Sequence, residues 1–198
     1  MPGGLGWRAG VFATGGRGRD DGGVTWTAPE IDRTNGPLGE PTGDERTLAD
    51  AWLDLHRQTL LWKCGGLTAE QLKLRAVERS ELSLLGLVRH MAEVERDWFR
   101  TRFAGARLGY LYCTDDNMQA EFDVAAADAE SDLDVYAREV EAVRQATLGH
   151  SLDETFIDPN RKTEMSLRFV YSVMIQEYAR HNGHADLLRE SIDGQTGH

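Results

Sequence analysis

The segment from Ser166 to Ser191 confines the chain to helical architectures. Its residues Leu167, Val170, Met174, Tyr178, Ala185 and Leu188 recur at the three- and four-residue intervals of one helix face, a period that no strand can satisfy. Glu177 and His181 fall on that same packed side, and His184 follows, so a helix aligns the three at i, i+4 and i+7 within two turns. That is a metal-ligand spacing. A carboxylate on an otherwise apolar stripe also needs a proton, a partner or a metal, because burying an unpaired charge is costly. Ser166 supplies an N-cap and Asp193-Gly194 a stop.

Three further helices of bundle length are predicted. The first runs from about Asp44 to Lys63, capped by Asp44 or Thr47 and stopped by Gly65-Gly66, with Leu48, Trp52, Leu55, Thr59 and Trp62 as its buried stripe. Thr68 to Leu72 forms a short helical turn with Thr68 as N-cap, followed by irregular chain through Glu81. The second long helix spans Ser83 to about Phe103 and faces inward with Leu87, His90, Met91, Val94 and Trp98. The third covers Ala127 to Leu148 with Leu133, Tyr136, Val140 and Val143, and its acidic opening suits a helix N-terminus. Four helices with one long connection, about Gly105 to Ala126, define an all-α four-helix bundle with an excursion over one end.

The region before Asp44 has a different character. Met1 to about Gly23 is rich in Gly and Arg without apolar periodicity, so it cannot bury enough surface to offset its ordering entropy and is expected to be disordered. Pro and Gly then predict an extended arm to Gly43, anchored by Trp26 and Ile31. The expected organisation is a flexible extension and arm over 1–43 and a bundle domain over 44–198. A net charge of −11 opposes association with nucleic acid or an anionic membrane, and Arg17-Gly-Arg19 is too slight to reverse it. No run approaches the roughly 18 apolar residues of a membrane span. With two cysteines and no secretory signal, the expected setting is a reducing cytoplasm.

His90 lies on the inward face of the second long helix, where it can meet Glu177 and His181 across the bundle. Two imidazoles and one carboxylate suit zinc, with nickel or iron as alternatives, and three protein ligands leave room for water or substrate. Such an ion activates either a thiol or a water. A buried Glu–His hydrogen-bond network accounts for the same three residues without metal. His184 is expected beside the ligands rather than among them, with replacement of one ligand as the alternative. Glu93 is read as a solvated surface residue in preference to a ligand-orienting one, Cys64 as a small buried residue and Cys113 as an ordinary loop thiol. Asp115-Asp116 reads as turn chemistry, Arg180 and Arg189 as solvated helix arginines, and Trp52, Trp62, Trp98 and Phe99 as core or interface anchors.

Ser80-Glu-Leu-Ser-Leu-Leu-Gly-Leu-Val-Arg-His90-Met-Ala-Glu-Val-Glu-Arg-Asp-Trp98-Phe99, the later Thr114-Asp-Asp, and Glu177-Tyr-Ala-Arg-His181-Asn-Gly-His184-Ala-Asp-Leu-Leu-Arg189 resemble the DinB/YfiT-like superfamily. The resemblance runs from about Glu45 to Gly197 and is strongest to an actinobacterial branch related to mycothiol-dependent metalloenzymes. It implies a four-helix bundle, commonly a homodimer, with a metal held by His90, Glu177 and His181. The His-Glu-His set resembles that of mycothiol-dependent maleylpyruvate isomerases, in which zinc is the expected ion. The expected function is therefore a metal-dependent S-transferase that joins a small-molecule thiol, mycothiol, to small electrophiles. The alternatives are a non-catalytic binding or stress-associated module and a metal-dependent hydrolase.

Overall fold

The computed structural model describes residues 17–20, 23–31 and 42–197. Four long helices carry the fold: α1 (Glu45–Cys64), α3 (Leu84–Glu95), α4 (Ala129–Thr147) and α5 (Leu167–Asp193), with the short α2 (Ala69–Lys73) between the first two. The all-α expectation holds. Each start is set by a side chain that accepts an otherwise orphaned backbone N–H: Asp44 from Thr47, Thr68 from Gln71 in a capping box, Ser83 from Gly86, Asp128 from Ser131 and Ser166 from Phe169. Gly194 ends α5 in the left-handed region at φ 78°, where a side chain would be strained. Helix α3 continues through Arg96–Phe103 as a π-helix, in which Ala104 N–H donates to the Phe99 carbonyl five residues back.

Helix α5 packs along α1 and also touches α3, while α4 packs along α3. Leu133, Tyr136, Val140 and Val143 of α4, and Leu167, Val170, Met174, Tyr178, Ala185 and Leu188 of α5, are buried as their spacing predicts. The stripe expected for α1 is displaced. Its buried residues are Leu53, Arg57, Leu60, Leu61, Lys63 and Cys64, and Trp52 is 44% exposed. The physical reason is Arg57: a period read from apolar residues passes over a buried arginine, yet this one defines the inward face.

Arg57 Nε and Nη2 each donate to an oxygen of the fully buried Glu95 at 2.7 Å, a bidentate pair. Tyr178 Oη donates to Glu95 Oε1 at 2.7 Å and stands 2.9 Å from Tyr136 Oη. One polar chain thus crosses the core and joins all four long helices. Glu139 of α4, itself buried, accepts from Arg96 and Arg100 at 2.6 Å each, fastening the π-helical segment to α4.

Among the described residues, two hairpins complete the structure. Strand β1 (Arg17–Asp20) pairs antiparallel with β2 (Gly23–Trp26); the expectation of disorder over Met1 to about Gly23 falls mostly on residues 1–16, 21 and 22, which lie outside the described ones. Strands β3 (Thr155–Ile157) and β4 (Glu164–Ser166) form a second hairpin that the sequence reading lacks, and Phe156 seats on Phe103 with ring centroids 5.7 Å apart. The arm docks as expected through Trp26 and Ile31. Ala28 exchanges backbone bonds with Leu67 and Gly66, and Gly65 keeps this approach close, since an added Cβ would lie 3.3 Å from Glu30 Cα and Pro29 O and the arm would have to give by a few tenths of an ångström.

Two measurements test this framework. Arg57→Met leaves Glu95 charged and buried without its partner, so urea denaturation should show a loss of about 3–5 kcal/mol, and adding Glu95→Leu should recover part of it. Burial opposes the charged form of Glu139, but Arg96 and Arg100 outweigh it and hold its carboxyl below the usual range. A depressed folded-state value means that the unfolded chain takes up the proton first, so this stabilisation is full above the usual glutamate pKa and is lost as pH falls through the lowered one. Glu139→Gln should therefore flatten the acid side of the stability–pH curve.

Candidate metal centre

The polar chain that joins the helices also sets their register. Tyr178 meets Glu95 in the core, and on the neighbouring turns of α3 and α5 His90 comes to face Glu177 and His181. One ligand atom from each of these three side chains lies within 4.8 Å of the others, the spread expected of groups that could share one ion. The His90 and His181 rings meet edge to face with centroids 4.7 Å apart, and His181 Nε2 is 3.5 Å from Glu177 Oε2. The side chains of His90, Glu177 and His181 are 20%, 23% and 12% exposed, so the cluster lies at the edge of the core within reach of solvent. Glu177 is accordingly less buried than its place on the apolar stripe predicts, and Arg180 approaches its other oxygen at 3.7 Å.

The donor set fits a divalent cation. Burial first, then the charges of His90, His184 and Arg180, push the His181 pKa down to about 4, which keeps its imidazole neutral and able to coordinate at neutral pH. His90 Nδ1 is engaged by Glu121 Oε1 at 3.2 Å, which leaves Nε2 as the free ring nitrogen. His184 stands beside the cluster, its Nδ1 3.4 Å from Nδ1 of His181.

The connection between α3 and α4 closes over this site. Its short 3-10 helix, Ala120–Phe122, packs on α3, and Phe122 stacks on His90 at 5.3 Å between centroids. Gly86, one turn before His90, makes the approach feasible: a Cβ there would sit 3.2 Å from Phe122 Cδ1. Glu93, one turn after His90, corrects its reading as a solvated residue. It is buried, and its carboxylate accepts from the backbone N–H groups of Leu111 at 2.8 and 3.0 Å, Tyr112 at 2.7 Å and Cys113 at 3.4 Å. A carboxylate that satisfies three amides pins the loop to α3.

Glu121 escaped the sequence reading because it falls in a non-periodic connection, where nothing separates it from solvated acids. Cys113 is buried rather than an ordinary loop thiol, and its Sγ lies 2.7 Å from Glu121 Oε2. Cys64 is buried as expected. Arg180 is solvated as expected, but Arg189 is buried and donates to the Lys63 and Gly65 carbonyls, closing the C-terminal end of α1. Asp115 and Asp116 occupy an exposed turn closed by Thr114 and Asn117.

The fold and its cluster define a helical bundle protein with a His-Glu-His constellation able to take a metal. The chain belongs to the mycothiol-S-transferase family, whose model matches residues 48–194 and so spans all four long helices and the connection over the site. This agrees with the DinB/YfiT-like resemblance. No curated protein and no solved structure matches the chain. Among the described residues, no helix is long and apolar enough to cross a membrane.

Neither cysteine is placed to serve as a nucleophile. Burial first, assisted at Cys113 by Glu121, pushes both thiols up to about 12, so they stay protonated at neutral pH. Iodoacetamide should alkylate both in the native chain at least about 100-fold more slowly than in the urea-unfolded chain, followed by mass spectrometry.

Proposed function

We propose that the protein is a metal-dependent S-transferase that joins mycothiol to small electrophiles, with zinc held by His90, Glu177 and His181. The carrying observation is the convergence of these three side chains within 4.8 Å in a chain of the mycothiol-S-transferase family. Two neutral imidazoles and a carboxylate suit zinc, and three protein ligands leave coordination positions for a substrate.

The residues divide the work. His90 and His181 reach the site from different helices, so the α3–α5 packing brings their backbones together. Glu177 contributes the anionic ligand and stays partly accessible to solvent. His184 contacts His181 at the nitrogen remote from Glu177 and holds that ring in place. Zinc, when bound, lowers the pKa of a thiol that reaches it and so supplies thiolate at neutral pH. In the overall reaction the S–H proton passes to solvent and a C–S bond forms at the electrophilic carbon. A haloaromatic then releases halide, and an unsaturated acid takes up a proton at the adjacent carbon.

Protein purified without a chelator or affinity tag should contain about one zinc per chain, and zinc-loaded protein should accelerate conjugation of mycothiol to a haloaromatic or unsaturated acid. Removing the metal or introducing His181→Ala should abolish the acceleration, while His184→Ala should weaken metal affinity or rate by about 10- to 100-fold. Rates across wild type, metal-free protein and both variants decide the matter, with folding checked by circular dichroism. Equal rates with and without metal across a panel of thiols and electrophiles would refute the mechanism for those substrates.

A further inference from the structure

The connection over the cluster contains a buried carboxylate that contacts a proposed ligand. Glu121 is 4% exposed, and its two oxygens have different partners: Oε1 faces His90 Nδ1 at 3.2 Å and Oε2 faces Cys113 Sγ at 2.7 Å. Because a carboxylate accepts, the imidazole proton belongs on Nδ1 and the lone pair on Nε2, the tautomer required for coordination through Nε2. The protonated Cys113 thiol donates to the second oxygen and fixes the carboxylate from behind.

We infer that Glu121 is a positioning residue of the metal centre, selecting the tautomer and ring orientation of His90 through Oε1 while Cys113 fixes Oε2. The inference rests on His90 being a ligand, as in the function proposed above. Its mechanical support comes from α3 itself, since Glu93 pins Leu111, Tyr112 and Cys113 to the helix that presents His90. Gly86 admits Phe122 on the opposite side of His90 along that helix. The loop is thereby held at both flanks of the imidazole. Removing a partner of this kind costs about 10- to 100-fold in metal affinity without removing a ligand.

Two readouts test it in the full chain. In nitrogen-15 histidine spectra of the zinc-free protein, His90 should be the Nδ1–H tautomer in wild type and a mixture in Glu121→Ala. Zinc affinity, measured by chelator competition, should fall about 10- to 100-fold in Glu121→Ala. Glu121→Gln should recover most of it, because its amide oxygen still accepts from Nδ1–H. Cys113→Ala should cost less than about 10-fold. If wild type takes up no zinc, the proposed function fails while the tautomer spectra still decide the role of Glu121. An Nε2–H tautomer in wild type, or unchanged zinc affinity in a folded Glu121→Ala protein, would overturn the inference. Should Glu121→Ala fail to fold, Glu121→Leu, which fills the space and removes the acceptor, carries the same test, with a mixed tautomer and weakened zinc affinity supporting the inference and wild-type-like behaviour overturning it.

Discussion

The bidentate pair between Arg57 and Glu95 is the interaction on which the rest of the structure depends. It lies in the core, so neither charge can fall back on water, and removal of either partner would leave the other uncompensated. The tyrosine hydroxyls of Tyr178 and Tyr136 extend it, so that one connected set of polar atoms involves α1, α3, α4 and α5. Apolar packing tolerates small slides between helices, whereas hydrogen bonds at 2.7 Å do not. Register is the consequence. Burial pushes both tyrosine pKa values far above their ordinary range, with Glu95 adding to the effect, so their hydroxyls remain protonated and able to donate.

That register creates the candidate metal centre. His90 lies five residues before Glu95 on α3, and Glu177 lies immediately before Tyr178 on α5, so fixing Glu95 against Tyr178 brings His90 opposite Glu177 and His181. Glu93 and Gly86 then bring the connecting loop down onto the same helix, one by satisfying backbone amides and the other by leaving space. The site is preorganised from both sides. Family membership gives this geometry its chemical context.

Much of this was legible in residue order. The caps at Asp44, Thr68 and Ser166, the stripes of α4 and α5, and the trio His90, Glu177 and His181 were each visible because capping and helical periodicity are local properties. The misreadings share a cause. Arg57 and Glu93 were passed over or placed in solvent because charged residues ordinarily lie there, and each is buried through a partner distant along the chain. The β3–β4 hairpin eluded a periodicity argument because its strands are only three residues long.

The sequence by itself determined the helices, the inward faces of α4 and α5, and a His-Glu-His trio spaced to share one metal. Those features follow from rules that act within a few residues: side-chain period, cap chemistry and backbone sterics. Only the tertiary structure decided which charges enter the core, which face α1 turns inward, and that Glu121 and Cys113 stand behind His90. A buried carboxylate and a solvated one are the same residue type in a sequence. The difference lies in whether the fold brings a donor within hydrogen-bond distance, and that depends on segments far apart in the chain.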